Sequence, residues 1–288
     1  RCPMNLLVNI LIDGVAYSMV LFMITIGLSL TLGLMHVVNM AHGVFAMIAG
    51  LLTAHLVTAW GINFVFATLI AIACSAAVAV PVERLLIRRF YKRSPMDQML
   101  MTLGIVFVAS AAASAIFGPQ VVNVPLPEWL SGSVAIGDRQ FPAHRLMVIV
   151  VGFATLALLH LTIDRSKYGV LVRAAVDNPG ISETVGINTQ LVHVSAFAIG
   201  AALAGLGGVV GAELLPMEPT YPSRYLVLML AVVAVSGHGS LASAFAAAML
   251  LGVGSTAAKY FYPEYSSLVF FGLMFLMLKI RPNGILSK

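Results

Sequence analysis

Apolar runs of about twenty residues, separated by short polar breaks, recur along nearly the whole chain. They predict spans at roughly 6–34, 40–60, 62–83, 98–118, 145–163, 191–212, 224–237, 241–260 and 265–280. All but one come close to the roughly 20 residues that a helix needs to cross a hydrocarbon core. The exception, 224–237, is too short to cross comfortably, and it runs into Ser236-Gly237-His238-Gly239-Ser240. A short apolar stretch that meets a glycine-rich break reads as a discontinuous helix. The pattern therefore predicts an all-α, polytopic transmembrane helical protein of about eight spans, with a discontinuous helix near 224–240, in a single transmembrane domain over 1–288. Glycine-spaced stretches at 27–50 and 200–211 echo one another, but too loosely to establish a repeat.

Composition sharpens this picture by exclusion. Of 288 residues, 60% are hydrophobic and 9% are charged, whereas soluble domains carry about 25% charged residues. A soluble globular enzyme is excluded. Sixteen Lys and Arg against eleven Asp and Glu leave +5, an excess that in a membrane protein belongs to cytoplasmic loops and not to a nucleic-acid surface. Five basic residues fall in 83–97 (Arg84, Arg88, Arg89, Lys92, Arg93), three in 164–188 (Arg165, Lys167, Arg173) and three at the end (Lys279, Arg281, Lys288), together eleven of the sixteen. These segments and the C-terminus are expected in the cytoplasm, with the N-terminus and the loop 119–144 outside. Its stretch 119–129 carries Pro119, Pro125 and Pro127 and suits an extended segment, and Trp129 suits the interface belt. Cys2 and Cys74 have neither metal-ligand nor disulfide-framework spacing, so no metal site is expected.

The segment 164–190 is the most informative loop. Asn178-Pro179 offers a helix cap followed by a first helical residue, Gly186 offers a stop, and Ile181 and Val185 lie four apart between them. A short helix with one small apolar face could lie on the membrane surface and enter a groove of a cytoplasmic partner, or it could merely link two spans. Asn39 and His42, three apart, share a face if helical. In a bilayer such groups line a watery path or stitch helices together. Around Gly237, His238, Gly239 and Ser240 the backbone either breaks toward the translocation route or makes a tight turn. Glu213, Glu218 and Arg224, near Pro216, Pro219 and Pro222 on the outer side, could dock a binding protein through rim charges or stand as solvated loop charges. Asp13 reads as a cap before Gly14.

Four motifs carry a resemblance. Val38-Asn39-Met40-Ala41-His42-Gly43 resembles the Asn-Phe-Ala-His-Gly signature of permease subunits of branched-chain amino acid ABC transporters. Arg173-Ala174 through Gly186-Ile187-Asn188 resembles their coupling segment, Gly237-His238-Gly239-Ser240 their Gly-Gly-x-Gly-Ser element, and Arg281-Pro282-Asn283-Gly284-Ile285-Leu286 their closing Arg-Pro-x-Gly-Leu. They occur in order over most of the chain. Departures are Ser236 in place of a first glycine, Ala242-Ser243-Ala244 in place of Pro-Gly-Ala, and Leu228 or a neighbour where a lysine often stands.

The resemblance implies a multi-pass inner-membrane subunit that pairs with a second homologous permease, two cytoplasmic ATPase subunits and a periplasmic solute-binding protein. No catalytic residue and no cofactor is expected on this chain. No Gly-x-x-x-x-Gly-Lys-Ser/Thr loop occurs in it, so ATP belongs to the partner subunits. The expected pathway residues are Asn39, His42, Gly43, Gly237, His238, Gly239 and Ser240. The expected ATPase-coupling residues are Arg173, Asp177, Pro179, Ile181, Glu183, Val185 and Gly186. The cargo would be a branched-chain or other hydrophobic amino acid, or else urea, an amide, or an aromatic or organic acid. A secondary transporter or channel is disfavoured, since the central spans hold almost no ionisable residue besides histidine. An intramembrane hydrolase is disfavoured because no Gly-x-Ser-x-Gly elbow occurs.

Overall fold

A computed structural model of the chain describes residues 3–35, 39–91, 93–136, 139–237 and 240–286. The elements run α1 (Pro3–Met35), α2 (His42–Trp60), α3 (Phe64–Leu85), α4 (Pro95–Phe117), α5 (Glu128–Ser131), β1 (Ser133–Ile136), β2 (Arg139–Pro142) and α6 (Ala143–Leu159). They continue through α7 (Lys167–Asp177), α8 (Pro179–Thr184), α9 (Thr189–Val210), α10 (Tyr221–Ser236), α11 (Leu241–Phe261) and α12 (Ser266–Ile280). Among the described residues, eight helical segments are long and apolar enough to cross a membrane, and α10, at 16 residues, is not one of them.

Local chemistry places the ends. Side chains of Asn63, Ser94, Ser166, Asn178, Asn188 and Ser240 accept backbone N–H bonds at the starts of α3, α4, α7, α8, α9 and α11, meeting donors that a helix start leaves orphaned. Gly61, at φ +64°, closes α2. The segment 119–142 begins with the non-helical stretch expected at 119–129, which stays free of helix as far as Pro127. It contains α5 and an antiparallel hairpin pairing Ser133 with Pro142 and Val134 with Phe141. It is also pinned inward, since the Val122 amide donates to the Met217 carbonyl at 2.8 Å.

One helix organises the bundle. Ala16, Met19 to Ile24, Ile26 and Leu28 of α1 are all buried, and a helix apolar and buried all round is a central one. It packs against α9, α11, α6 and α10. Lipid tails are as apolar as leucine, so close backbone approach and polar stitching hold such a bundle more than burial of oil from water. Both occur here. A Cβ on Gly27 would stand 2.7 Å from Gly200 Cα, and one on Gly208 would stand 2.9 Å from Ala46 Cα. Glycine is therefore required where α1 and α2 cross α9. Ser75 Oγ of α3 contacts the carbonyls of Phe45 in α2 (3.0 Å) and Ala201 in α9 (3.3 Å), bridging three helices.

The two ends differ in chemistry. At the basic end, Arg88 donates to Glu83 and to Gln190 Oε1 (3.1 Å). Tyr91 donates to Glu83 at 2.6 Å, and burial together with that bond pushes the Tyr91 phenol above its ordinary range. At the far end, Asp13 lies within α1, which already starts at Pro3, so it caps no helix as the sequence suggested; it pairs instead with Arg145 and accepts from Tyr260. His144 there sets Nε2 2.9 Å from the Val210 carbonyl and Nδ1 3.0 Å from Glu213.

Candidate translocation site

Two helices begin inside the bundle. The first is α2. Asn39 Oδ1 accepts from the Ala41 amide (3.0 Å) and the Met40 amide donates to Thr102 Oγ1 of α4 (3.2 Å), fixing the bend that precedes His42. From there α2 runs 19 residues to the exposed Trp60. The second is α10. After Glu213 the chain turns inward, setting Met217 against Gly50 and Pro222 against Gly43, where an added Cβ would be 3.0 Å from Pro222 Cα. From Tyr221, α10 then runs 16 residues to Ser236 at the basic end.

Helical rise gives the depth. Gly43 lies 17 residues from Trp60, about 25 Å, and Pro222 lies 14 residues from Ser236, about 21 Å. The two helix starts therefore meet near the middle of the bundle's thickness. The segment between Val210 and Tyr221 re-enters instead of staying at the rim. Irregular backbone at such depth is tolerated only where it is buried in protein or lines a cavity.

Asn39, His42 and Tyr221 are almost fully buried. Asn39 Nδ2, His42 Nε2 and the Tyr221 hydroxyl have no hydrogen-bond partner among the described residues. His42 also sits against the α1–α9 crossing, its Cε1 2.7 Å from where a Gly27 Cβ would lie. Gly43 is thus set against Pro222, with Asn39 and His42 just before it in the chain and Tyr221, which sequence reasoning did not single out, just before Pro222. The signal that could have found it is the proline beside an aromatic at the start of the one apolar run too short to cross.

Gly237 and Ser240 are elsewhere. Gly237, at φ +70°, meets the C-terminal turn, where a Cβ would be 2.8 Å from Gly284 Cα. The Ile285 amide donates to the Val235 carbonyl at 3.0 Å. Ser240 caps α11. His238 and Gly239 lie outside the described residues. The glycine-rich element and the closing Arg281-to-Leu286 element thus meet at the basic end, about 20 Å from the two buried helix starts by the rise of α10.

The segment 164–190 forms a rigid knob. Asn178 caps α8 through the Ile181 amide (3.1 Å), Ser182 Oγ donates to the Ala174 carbonyl (2.7 Å) and Thr189 donates to Glu183 (2.6 Å). Arg173 ties α7 to the Ile163 carbonyl (2.9 Å), at the π-turn that continues α6. Val172, Ala175 and Val192 form a small core beneath it. Gly186 turns the chain at φ +86°, and Ile181 and Val185 stand 61% and 70% exposed. The backbone of Asp177 ends α7, and its side chain is outside the described residues.

Of the three residues expected at the outer rim, Glu213 is there, beside His144. Glu218 and Arg224 form an ion pair of 2.7 Å that flanks the deep start of α10. A separate apolar crevice of about 580 Å³ lies between α6 and α11, lined by Phe153, Leu156, Phe245 and others, and holds none of these residues.

Comparison with known proteins adds the following. The family profile described as "Branched-chain amino acid transport system / permease component" matches residues 10–278. The high-affinity branched-chain amino acid transport permease LivH of Salmonella typhimurium is 26% identical over 293 residues, covering 96% of this chain and 94% of LivH. BraD of Pseudomonas aeruginosa is 25% identical, covering 96% and 95%. LivM of Escherichia coli is 26% identical, covering 96% of this chain and 69% of LivM. Among solved structures, PsaBC from Streptococcus pneumoniae in complex with Fab matches with a TM-score of 0.51 at 14% identity over 94% of this chain and 91% of that one, a likeness of fold.

Proposed function

Because the chain belongs to the branched-chain amino acid transport permease family, we propose that it is one permease half of an ATP-driven importer that moves a hydrophobic amino acid inward across the inner membrane. The observation that carries this reading is the pairing of a membrane bundle holding two buried helix starts with a rigid, apolar-tipped knob on the basic end.

In this reading the basic end faces the cytoplasm and the N-terminus faces the periplasm, by the distribution of Arg and Lys. Two ATPase subunits dock on the knob, with Ile181 and Val185 entering a groove and Pro179, Glu183, Gly186 and Arg173 holding the knob's shape. A push on α8 passes to α7 and α9 through the Ser182 and Thr189 hydrogen bonds. Because α9 crosses α1 at Gly200 and Gly27, beside His42, that motion reaches the two helix starts. A second permease homologous to this one completes the path, as the match to both LivH and LivM supports. Glu213, at the opposite rim, meets the solute-binding protein. Asn39, His42 and Gly43 border the route.

The test is co-purification in mild detergent followed by reconstitution. ATPase subunits should accompany the chain, and uptake of labelled leucine should require ATP and the solute-binding protein. Urea or an organic acid carried in preference to leucine would replace the cargo while leaving the importer.

A further inference from the structure

The Glu218–Arg224 pair is out of place for a lipid-facing surface. Arg224 belongs to the first turn of α10, two residues after Pro222, which touches Gly43 near mid-depth. Yet the Arg224 side chain is 54% exposed. Ser223 and Val227, on the same side of α10, are exposed too, while Tyr221, Tyr225 and Met229 face inward. Charge exposed at that depth cannot be left against acyl chains, because hydrocarbon offers neither hydration nor hydrogen bonds. The face must therefore look onto water or onto the second permease within the membrane, and not onto lipid.

We propose that Arg224 and Glu218 form the permease's recognition site for the zwitterionic head of an α-amino acid. The cargo carboxylate binds the Arg224 guanidinium, its ammonium binds Glu218, and its side chain lies along Val227. This rests on the importer reading above and deepens it. Three features fit the chemistry. The pair presents opposite charges at 2.7 Å, as a zwitterion does. Arg224 is held from beneath, 5.7 Å over the Tyr225 ring, leaving its outer N–H groups to meet a carboxylate. The N-terminus of α10 adds its partial positive charge on the same side as the anionic group. Urea or a neutral amide offers no such match. The same two residues stand too deep to act as rim charges for a docking protein.

The test uses the complete transporter, reconstituted with its ATPases, second permease and solute-binding protein. In a Cys2→Ala, Cys74→Ala background, Val227→Cys leaves both charges intact. It should react with a membrane-impermeant methanethiosulfonate, and L-leucine delivered by the binding protein should slow that reaction. No reaction at Val227→Cys would mean that the face meets lipid or the second permease and not water, and would overturn the proposal without touching the importer reading. Arg224→Gln and Glu218→Gln should each cut leucine uptake by about tenfold or more while binding-protein capture by the complex stays unchanged. Loss of capture, or unchanged uptake in both variants, would overturn the site. A wild-type complex that imports no amino acid would instead overturn the importer's cargo, and this site with it.

Discussion

Gly43 and Pro222 meet with no side chain between them, since a Cβ on Gly43 would stand 3.0 Å from Pro222 Cα and 2.8 Å from Met229 Cε. Two helices that start within the membrane are thereby set against each other. The Gly43→Val variant should insert and assemble but melt lower, by the 1–3 kcal/mol or so that overpacking a tight contact costs. It should also transport poorly, because α10 is displaced. Gly104→Val, whose added Cβ meets nothing within 4 Å, is the control and should match wild type in thermal melts and uptake. Equal melting of the two variants would show that the contact is slack.

Glu83 is fully buried, yet it holds Arg88 and Tyr91 at the basic end. Arg88→Ala should destabilise by about 1–3 kcal/mol, the usual cost of stripping a buried acceptor of its donor. Arg89→Ala, at an exposed neighbour, should do little. Denaturation in detergent measures both.

Tyr91 also sets a pH dependence. Its phenol is held above the ordinary value of 10.0, by burial first and then by the Glu83 hydrogen bond. The folded protein therefore keeps a proton that the unfolded chain loses near pH 10, and stability present below that pH falls as pH rises beyond it. Tyr91→Phe should flatten the fall in Tm measured from pH 9.5 upward. An unchanged slope would remove Tyr91 as its source.

Gly186 sits at φ +86°, where proline cannot follow and other residues are strained by about 1–2 kcal/mol. Gly186→Pro should leave insertion intact but uncouple ATP hydrolysis from uptake, read as ATP consumed per leucine moved. Ile181→Asp should instead weaken ATPase co-purification, since Ile181 is one of the two exposed apolar tips of the knob. Normal coupling in the first variant and normal recovery in the second would dissociate the knob from the ATPase.

His42 and Asn39 border the junction with unpartnered nitrogens. His42→Ala should reduce uptake with assembly retained, and Asn39→Ala should do the same by loosening the bend that its side chain closes on the Ala41 amide. Uptake at wild-type level in both variants would take them off the route.

Much of this architecture was legible in the chain because bilayer helices must be long, apolar and capped. The eight crossing segments, the Asn178 cap with Pro179, and the short run ending at Ser236 follow from residue type alone. Depth was not legible. Glu218 and Arg224 look like rim charges beside prolines, because sequence shows that a run is short but not at which end it stops short. The meeting of Gly237 with Gly284 was equally hidden, since two glycines 47 residues apart show no local period. Gly27 packs on Gly200 and Gly208 on Ala46, while Gly43 and Gly50 meet Pro222 and Met217, so these small residues serve close helix packing and not a repeat.

The central claim is that this chain forms half of a path and draws its energy from partners. ATP-dependent uptake of labelled leucine into proteoliposomes tests it most directly, comparing this chain alone with the full set of second permease, ATPases and solute-binding protein. Uptake is expected from the full set only, and should disappear when ATP is withheld. Leucine moved at the same rate by this chain alone, without ATP, would contradict the account.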